Sequence, residues 1–209
     1  RARAAVAEAL AAGGGYGTWE QGASAALSEG DLAHADVCLA EMARTLDHGR
    51  SQDVAHYAFL GGARAALGGD AALAQDRLEA CMAVDATRIP AYFGTLWQLG
   101  EAHVAVESGK HRRAARALTE TLGRATTMYW RFLQFSVLMT RTWLRVREKR
   151  NDDALADLRA ALALSRTNGY RNCDPWWNPG AMDEIRRFAR PRQHDREALD
   201  TLLARLPVH

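Results

Sequence analysis

Proline is scarce in this sequence, cysteine scarcer still, and long apolar runs are absent. Five prolines interrupt 209 residues, while Ala, Leu and Arg dominate, a bias that favours helix over strand. Strict apolar–polar alternation is missing too, so no sheet is expected. Cys38, Cys81 and Cys173 stand far apart. An odd, scattered set gives neither a disulfide framework nor zinc-ligand spacing, and it reads as reduced core thiols in a cytoplasmic protein. No apolar run reaches the roughly 18–20 residues a membrane helix requires, and no basic-then-apolar leader opens the chain. Charged residues make up 25% and the formal net charge is +2. That balance gives no global reason to expect nucleic acid or an anionic membrane as partner. Because Arg1 rather than Met comes first, the chain is expected to be either a trimmed form or a piece of something longer.

Catalytic and cofactor signatures are equally thin. In "SGKH", Gly109-Lys110 is followed by His111, and Val104 stands where a phosphate-cradling loop needs Gly. "GGGYG", from Gly13 to Gly17, has no Lys or Ser/Thr and reads as a flexible joint. His-Glu-x-x-His, Cys-x-x-Cys and Gly-x-Ser-x-Gly are all missing. The seven histidines are scattered singly, so no metal is expected. Asp152-Asp153 and Asp183-Glu184 fall at expected helix starts, where carboxylates favour the helix dipole; that explains them better than an acid–base dyad. The expectation is therefore no enzyme and no cofactor. One basic run, "RTWLRVREKR" from Arg141 to Arg150, sets five cations against Glu148 alone. It reads as a solvated helix end whose cations complement the C-terminal dipole, or as a site for an anion or an acidic partner.

What the sequence does have is a beat of about forty residues. "GDLAHADVCLAEM" from Gly30, "GDAALAQDRLEAC" from Gly69, "GKHRRAARALTET" from Gly109 and "KRNDDALADLRAA" from Lys149 align without gaps. Five residues into each stands an alanine, at 35, 74, 114 and 154; nine residues in stands a leucine, at 39, 78, 118 and 158. Seven residues before each turn comes a small side chain: Ala23, Gly62, Ala102, Thr142. Small residues in a first helix and an alanine early in a second let two helices approach closely, as in a helical hairpin. Gly at the turn suits a helix C-terminus that needs positive φ, and Asp31 and Asp70 suit the following N-cap. The pairs predicted are 17–29 with 32–47, 51–67 with 71–85, 90–108 with 111–125, and 128–149 with 152–167. A helix at 2–12 precedes them, and helices at 179–190 and 195–206 follow, parted at Arg190-Pro191.

These pairs resemble tetratricopeptide repeats over roughly residues 16–167. The small residue, the Gly-Asp turn, the Ala and Leu, and Trp19 in the first repeat's aromatic slot carry the likeness. The repeat is longer than the usual 34 or so residues, and Ala26, Ala65, Ala105 and Gln98 occupy bulky slots. The stretch "ALADLRAALALSRTNGYRNCDPWWNPGAMDEIRRFA" resembles the closing segment of the helical-repeat region of large bacterial transcriptional activators, the maltose-regulator-like signal-transduction ATPases and their relatives. Leu158, Arg159, Leu162, Leu164, Gly169, Tyr170, Trp176, Trp177 and Pro179 match it; Asn178 replaces the usual Arg or Gln. The resemblance implies an all-α, right-handed superhelical solenoid of about four TPR-like hairpins at 16–167. Residues 1–15 would lead into it and 168–209 would cap it.

In such a solenoid the first helix of each pair lines the inner face. Helical spacing then places His56, Phe59 and Ala63; Tyr92, Leu96, Leu99, His103 and Glu107; and Phe132, Ser136, Met139, Trp143 and Arg147 on that face. Apolar walls with a few polar groups suit a ligand groove, or these residues pack between neighbouring hairpins. The candidate contacts are His56, Phe59, Tyr92, His103, Glu107, Trp143 and Arg147. Trp143 with Arg147, and His103 with Glu107, share a face at four-residue spacing. The function expected is a sensor or interaction domain of a bacterial transcription regulator that binds an inducer or a partner protein, with no nucleic acid or membrane contact of its own and a dimer possible. The competing expectation is a protein-binding scaffold with no small ligand. In "NGYRNCDPWWNP", one Trp should cap the last hairpin with Tyr170, and the other should stay partly exposed.

Overall fold

A computed structural model describes residues 14–84, 90–170, 176–177 and 179–203. These residues form ten helices and, among them, no strand. The helices are α1 (Tyr16–Ser28), α2 (Leu32–Thr45), α3 (Ser51–Leu67), α4 (Ala71–Met82), α5 (Ala91–Glu107), α6 (His111–Thr127), α7 (Arg131–Arg147), α8 (Asn151–Asn168), α9 (Pro179–Ala189) and α10 (Gln193–Leu203). Their bounds lie close to those read from the sequence. The helix expected at 2–12, Cys173 and the tail of the last predicted helix lie outside the described residues. Packing divides the chain into two compact units, which part between Trp97 and Gln98.

The turns follow one local rule. Gly30, Gly69 and Gly109 have φ of 73°, 83° and 68°, and Lys149 joins them at 60°. At each, the next amide reaches back to an orphan carbonyl of the preceding helix: Asp31 N–H to Ala26 O at 2.8 Å, Asp70 to Ala65 at 2.9 Å, Lys110 to Ala105 at 2.8 Å and Arg150 to Arg145 at 2.9 Å. This is the Schellman closure, which Gly adopts without strain. Asp31 then caps α2 through the His34 amide at 3.1 Å, and Asp70 caps α4 through that of Leu73 at 2.9 Å. A fifth such turn was not foreseen. Tyr129 takes φ 53°, and the Trp130 N–H donates to Ala125 O at 2.9 Å. The α6–α7 connection is therefore a three-residue turn, so α7 starts at Arg131 rather than 128.

Within each helix pair the small residues are buried. Ala35, Ala74, Ala114 and Ala154 are all 0% exposed, and Leu39, Leu78, Leu118 and Leu158 are buried beside them. Ala23, Gly62, Ala102 and Thr142 are buried on the first helices. Full burial of a leucine contributes about 1.5–3 kcal/mol, whereas a larger side chain at an alanine position would force the helices apart. In unit 1, α1 packs on α2 and α3 on α4. In unit 2, Arg113 of α6 donates to Glu101 of α5 at 2.7 Å, and α7 packs on α8. Helix α9 lies on α7 and α10 on α8. Among the described residues no helix is long and apolar enough to cross a membrane. Cys38 and Cys81 are buried free thiols. Burial pushes the Cys81 thiol up to about 12, and its Sγ lies 3.1 Å from Ala55 O.

Candidate functional site

The seven candidate residues fall into two clusters, one in each unit. In unit 1, His56 of α3 is buried and its ring packs on Phe59 at 5.8 Å and edge-on to Phe93 at 5.0 Å. Tyr92 stacks next to Phe93 at 4.2 Å and is 42% exposed. His56 Nε2 lies 3.2 Å from Glu20 Oε1 of α1. Burial pulls the imidazole down to about 4. Burial, and then the neighbouring Asp53, raise Glu20. Burial disfavours the charged imidazole, so the contact is not a meeting of two full charges. Tyr16 completes the group: its hydroxyl donates to Asp53 O at 2.6 Å, and burial raises its pKa. Glu20 and Phe93 were not foreseen. Phe93 follows Tyr92 directly, and no periodic rule predicted that it would flank His56.

In unit 2, α5 supplies His103 and α7 supplies Ser136, Thr140, Trp143 and Arg147, one stripe at helical spacing. His103 is buried, with Nε2 3.1 Å from Thr140 Oγ1. The Thr140 hydroxyl donates to Ser136 O at 2.9 Å. With its proton committed there, Thr140 accepts from His103, which places the imidazole proton on Nε2. Trp177 meets His103 edge-on at 5.3 Å and Trp143 at 6.5 Å. Trp176 is 1% exposed, while Trp177 is partly exposed. Tyr170 packs at 5.4 Å from Phe132 and 5.7 Å from Phe135. Thr140 and Trp177 are additions to the candidate set. Thr140 lies on the predicted stripe, four residues past Ser136; Trp177 reaches it through a chain path that the sequence does not disclose.

Arg147 is the most engaged candidate. Its guanidinium lies over the Trp143 ring at 4.6 Å. It donates to Val106 O at 3.0 Å and to both oxygens of Glu184 on α9, at 2.8 and 3.1 Å. The anion beside Trp143 and Arg147 is thus Glu184, whose carboxyl Arg147 holds below the usual range with help from the Trp143 indole. Glu107 is exposed, and its charge reaches Arg147. The rest of the basic run is also paired. Arg141 clasps Asp157 at 2.7 and 2.6 Å, and Arg145 reaches the same carboxylate. Arg150 meets Asp153 at 2.6 Å. Four of the five cations in that run therefore have carboxylate partners within the protein. Among the described residues, no group of three or more His, Cys, Asp or Glu side chains is placed to hold a metal.

No protein-family model matches the chain, and no curated protein or solved structure matches it either.

Proposed function

We propose that this chain is a helical-repeat recognition domain, a right-handed solenoid of four TPR-like hairpins from a bacterial transcription regulator, that binds an inducer or a partner protein along its first helices. The observation that carries this reading is the recurrence of one arrangement on those helices. A buried histidine is flanked by aromatic rings in each unit: His56 by Phe59 and Phe93, and His103 by Trp143 and Trp177. Apolar walls with a few oriented polar groups are the composition of a ligand site. The positive-φ turns at 30, 69, 109 and 149 support the repeat. A ligand that favours one arrangement of the helices would shift the regulator between inactive and active states. The domain binds rather than catalyses, and it needs no cofactor.

The scaffold reading, with no small ligand, is favoured by one set of facts. Trp143 is 0% exposed and Arg147 is already paired with Glu184, while Tyr92 and Glu107 remain exposed to a larger partner. A thermal-shift screen with sugars, organic acids and aromatic compounds separates the two. An inducer-binding domain gives a saturable rise in melting temperature, and Thr140→Val together with His103→Leu abolishes it. A uniformly silent screen, with a captured protein partner, selects the scaffold.

A further inference from the structure

The turn between α6 and α7 carries a surface that the face of the first helices does not explain. Tyr129 is 78% exposed and Met128 37% exposed. Trp130, Phe132 and Tyr170 beside them are only partly covered. The Tyr170 ring packs on Phe132, which brings the end of α8 to the same end of unit 2 as the α6–α7 turn. Arg124, Arg131 and Arg166 are exposed there. From Thr121 to Arg147, and again from Leu158 to Tyr170, the sequence contains no Asp or Glu. Within these stretches the exposed cations have no carboxylate, and Glu120, one turn before Arg124, is engaged by Arg116.

The composition matches the core of a protein interface, where Trp, Tyr, Met and Arg are enriched and Lys, Glu and Asp depleted. Arg124 and Arg166 lie in the last turns of α6 and α8, so helix dipoles account for part of their placement. Dipoles do not account for Tyr129. It sits at φ 53°, where the analogous turns at 30, 69, 109 and 169 place Gly and that at 149 places Lys, so among the described positive-φ positions only this one carries an aromatic ring. The position thus presents a large aromatic to solvent at the expense of backbone strain, which is the pattern of a residue kept for contact.

We propose that this end of unit 2 is a docking surface for an acidic segment of a partner protein. An apolar side chain of that segment would rest on Met128 and Tyr129, while its carboxylates meet Arg124, Arg131 and Arg166. The surface adjoins the first-helix face at Phe132, but its contacts at Met128 and Tyr129 lie in the turn outside that face, and the proposal stands whether or not a ligand binds to the first helices. The test uses the full chain and fluorescence anisotropy. The probes are a dye-labelled Glu-rich peptide with two Phe anchors, its Lys-for-Glu counterpart and a single-stranded oligonucleotide. Saturable binding of the Glu-rich peptide, about tenfold or more tighter than of either control, is expected. Tyr129→Gly should weaken it about tenfold while leaving the melting temperature unchanged or higher, because Gly accepts that φ. Arg131→Glu should weaken it to a similar degree. The absence of saturable binding, a preference for the oligonucleotide, or full affinity in Tyr129→Gly overturns the proposal.

Discussion

Lys149 holds the same left-handed turn that Gly fills at 30, 69 and 109. An L-residue there is strained by about 1–2 kcal/mol, partly offset because Gly loses more entropy on folding. Lys149→Gly is therefore expected to stabilise the protein by about 0.5–1 kcal/mol, read as a higher urea midpoint. Gly109→Ala should do the reverse, and nothing within 4 Å of the added Cβ supplies any other cause. A fall in stability for Lys149→Gly would contradict the turn assignment. His56 makes a second prediction. Its unfolded value of 6.5 drops to about 4 in the fold. As pH falls, the unfolded chain takes up a proton that the buried imidazole refuses, so stability declines from pH 6.5 down to about 4. Glu20, raised in the fold, opposes that decline, because protonating it on acidification favours the folded state. His56→Gln removes the larger contribution, and urea midpoints at pH 7, 5.5 and 4.5 should then change less with pH than in the parent. An unchanged slope would mean that another group controls the acid response.

At the scale of elements, ion pairs between helices differ sharply in worth according to burial. Asp157 is 4% exposed and takes guanidinium groups from both Arg141 and Arg145, fastening α8 to α7. Asp157→Asn leaves two partly buried cations facing each other and is expected to cost about 3–5 kcal/mol. Arg150 and Asp153 make a pair of similar geometry in solvent, and Arg150→Ala should leave the urea midpoint within error. Comparable losses in the two variants would contradict this ranking. The helices themselves were legible because each signal is local. Small residues at hairpin spacing, Gly at the turn and Asp at the cap act within a few residues of one another. The partner of Arg147 was not legible. Glu184 lies 37 residues away on another helix, and no periodicity ties the two. The run from Arg141 to Arg150 therefore looked like a free cationic patch in sequence, while the fold spends most of it on internal carboxylates. The Tyr129 turn was missed for a related reason: without Gly, nothing local announces a positive φ.

For the whole molecule, the repeat register located the candidate side chains better than it described their surroundings. It placed His103, Trp143 and Arg147 on facing stripes of α5 and α7, where they do meet. It could not foresee that Trp177, arriving from beyond α8, would pack against His103 and Trp143. Nor could it foresee Glu20 of α1 beneath His56. Such contacts depend on how non-consecutive elements pack, which a forty-residue pattern does not encode. The central claim is that recognition belongs to the first helices of the hairpins. Hydrogen exchange of the full chain, with and without the strongest compound from the thermal-shift screen or a captured partner, tests it most directly. The account predicts added protection in peptides from α3, α5 and α7, including those bearing His56, His103 and Trp143. Protection confined to α2, α4, α6 and α8, with those peptides unchanged, would contradict it.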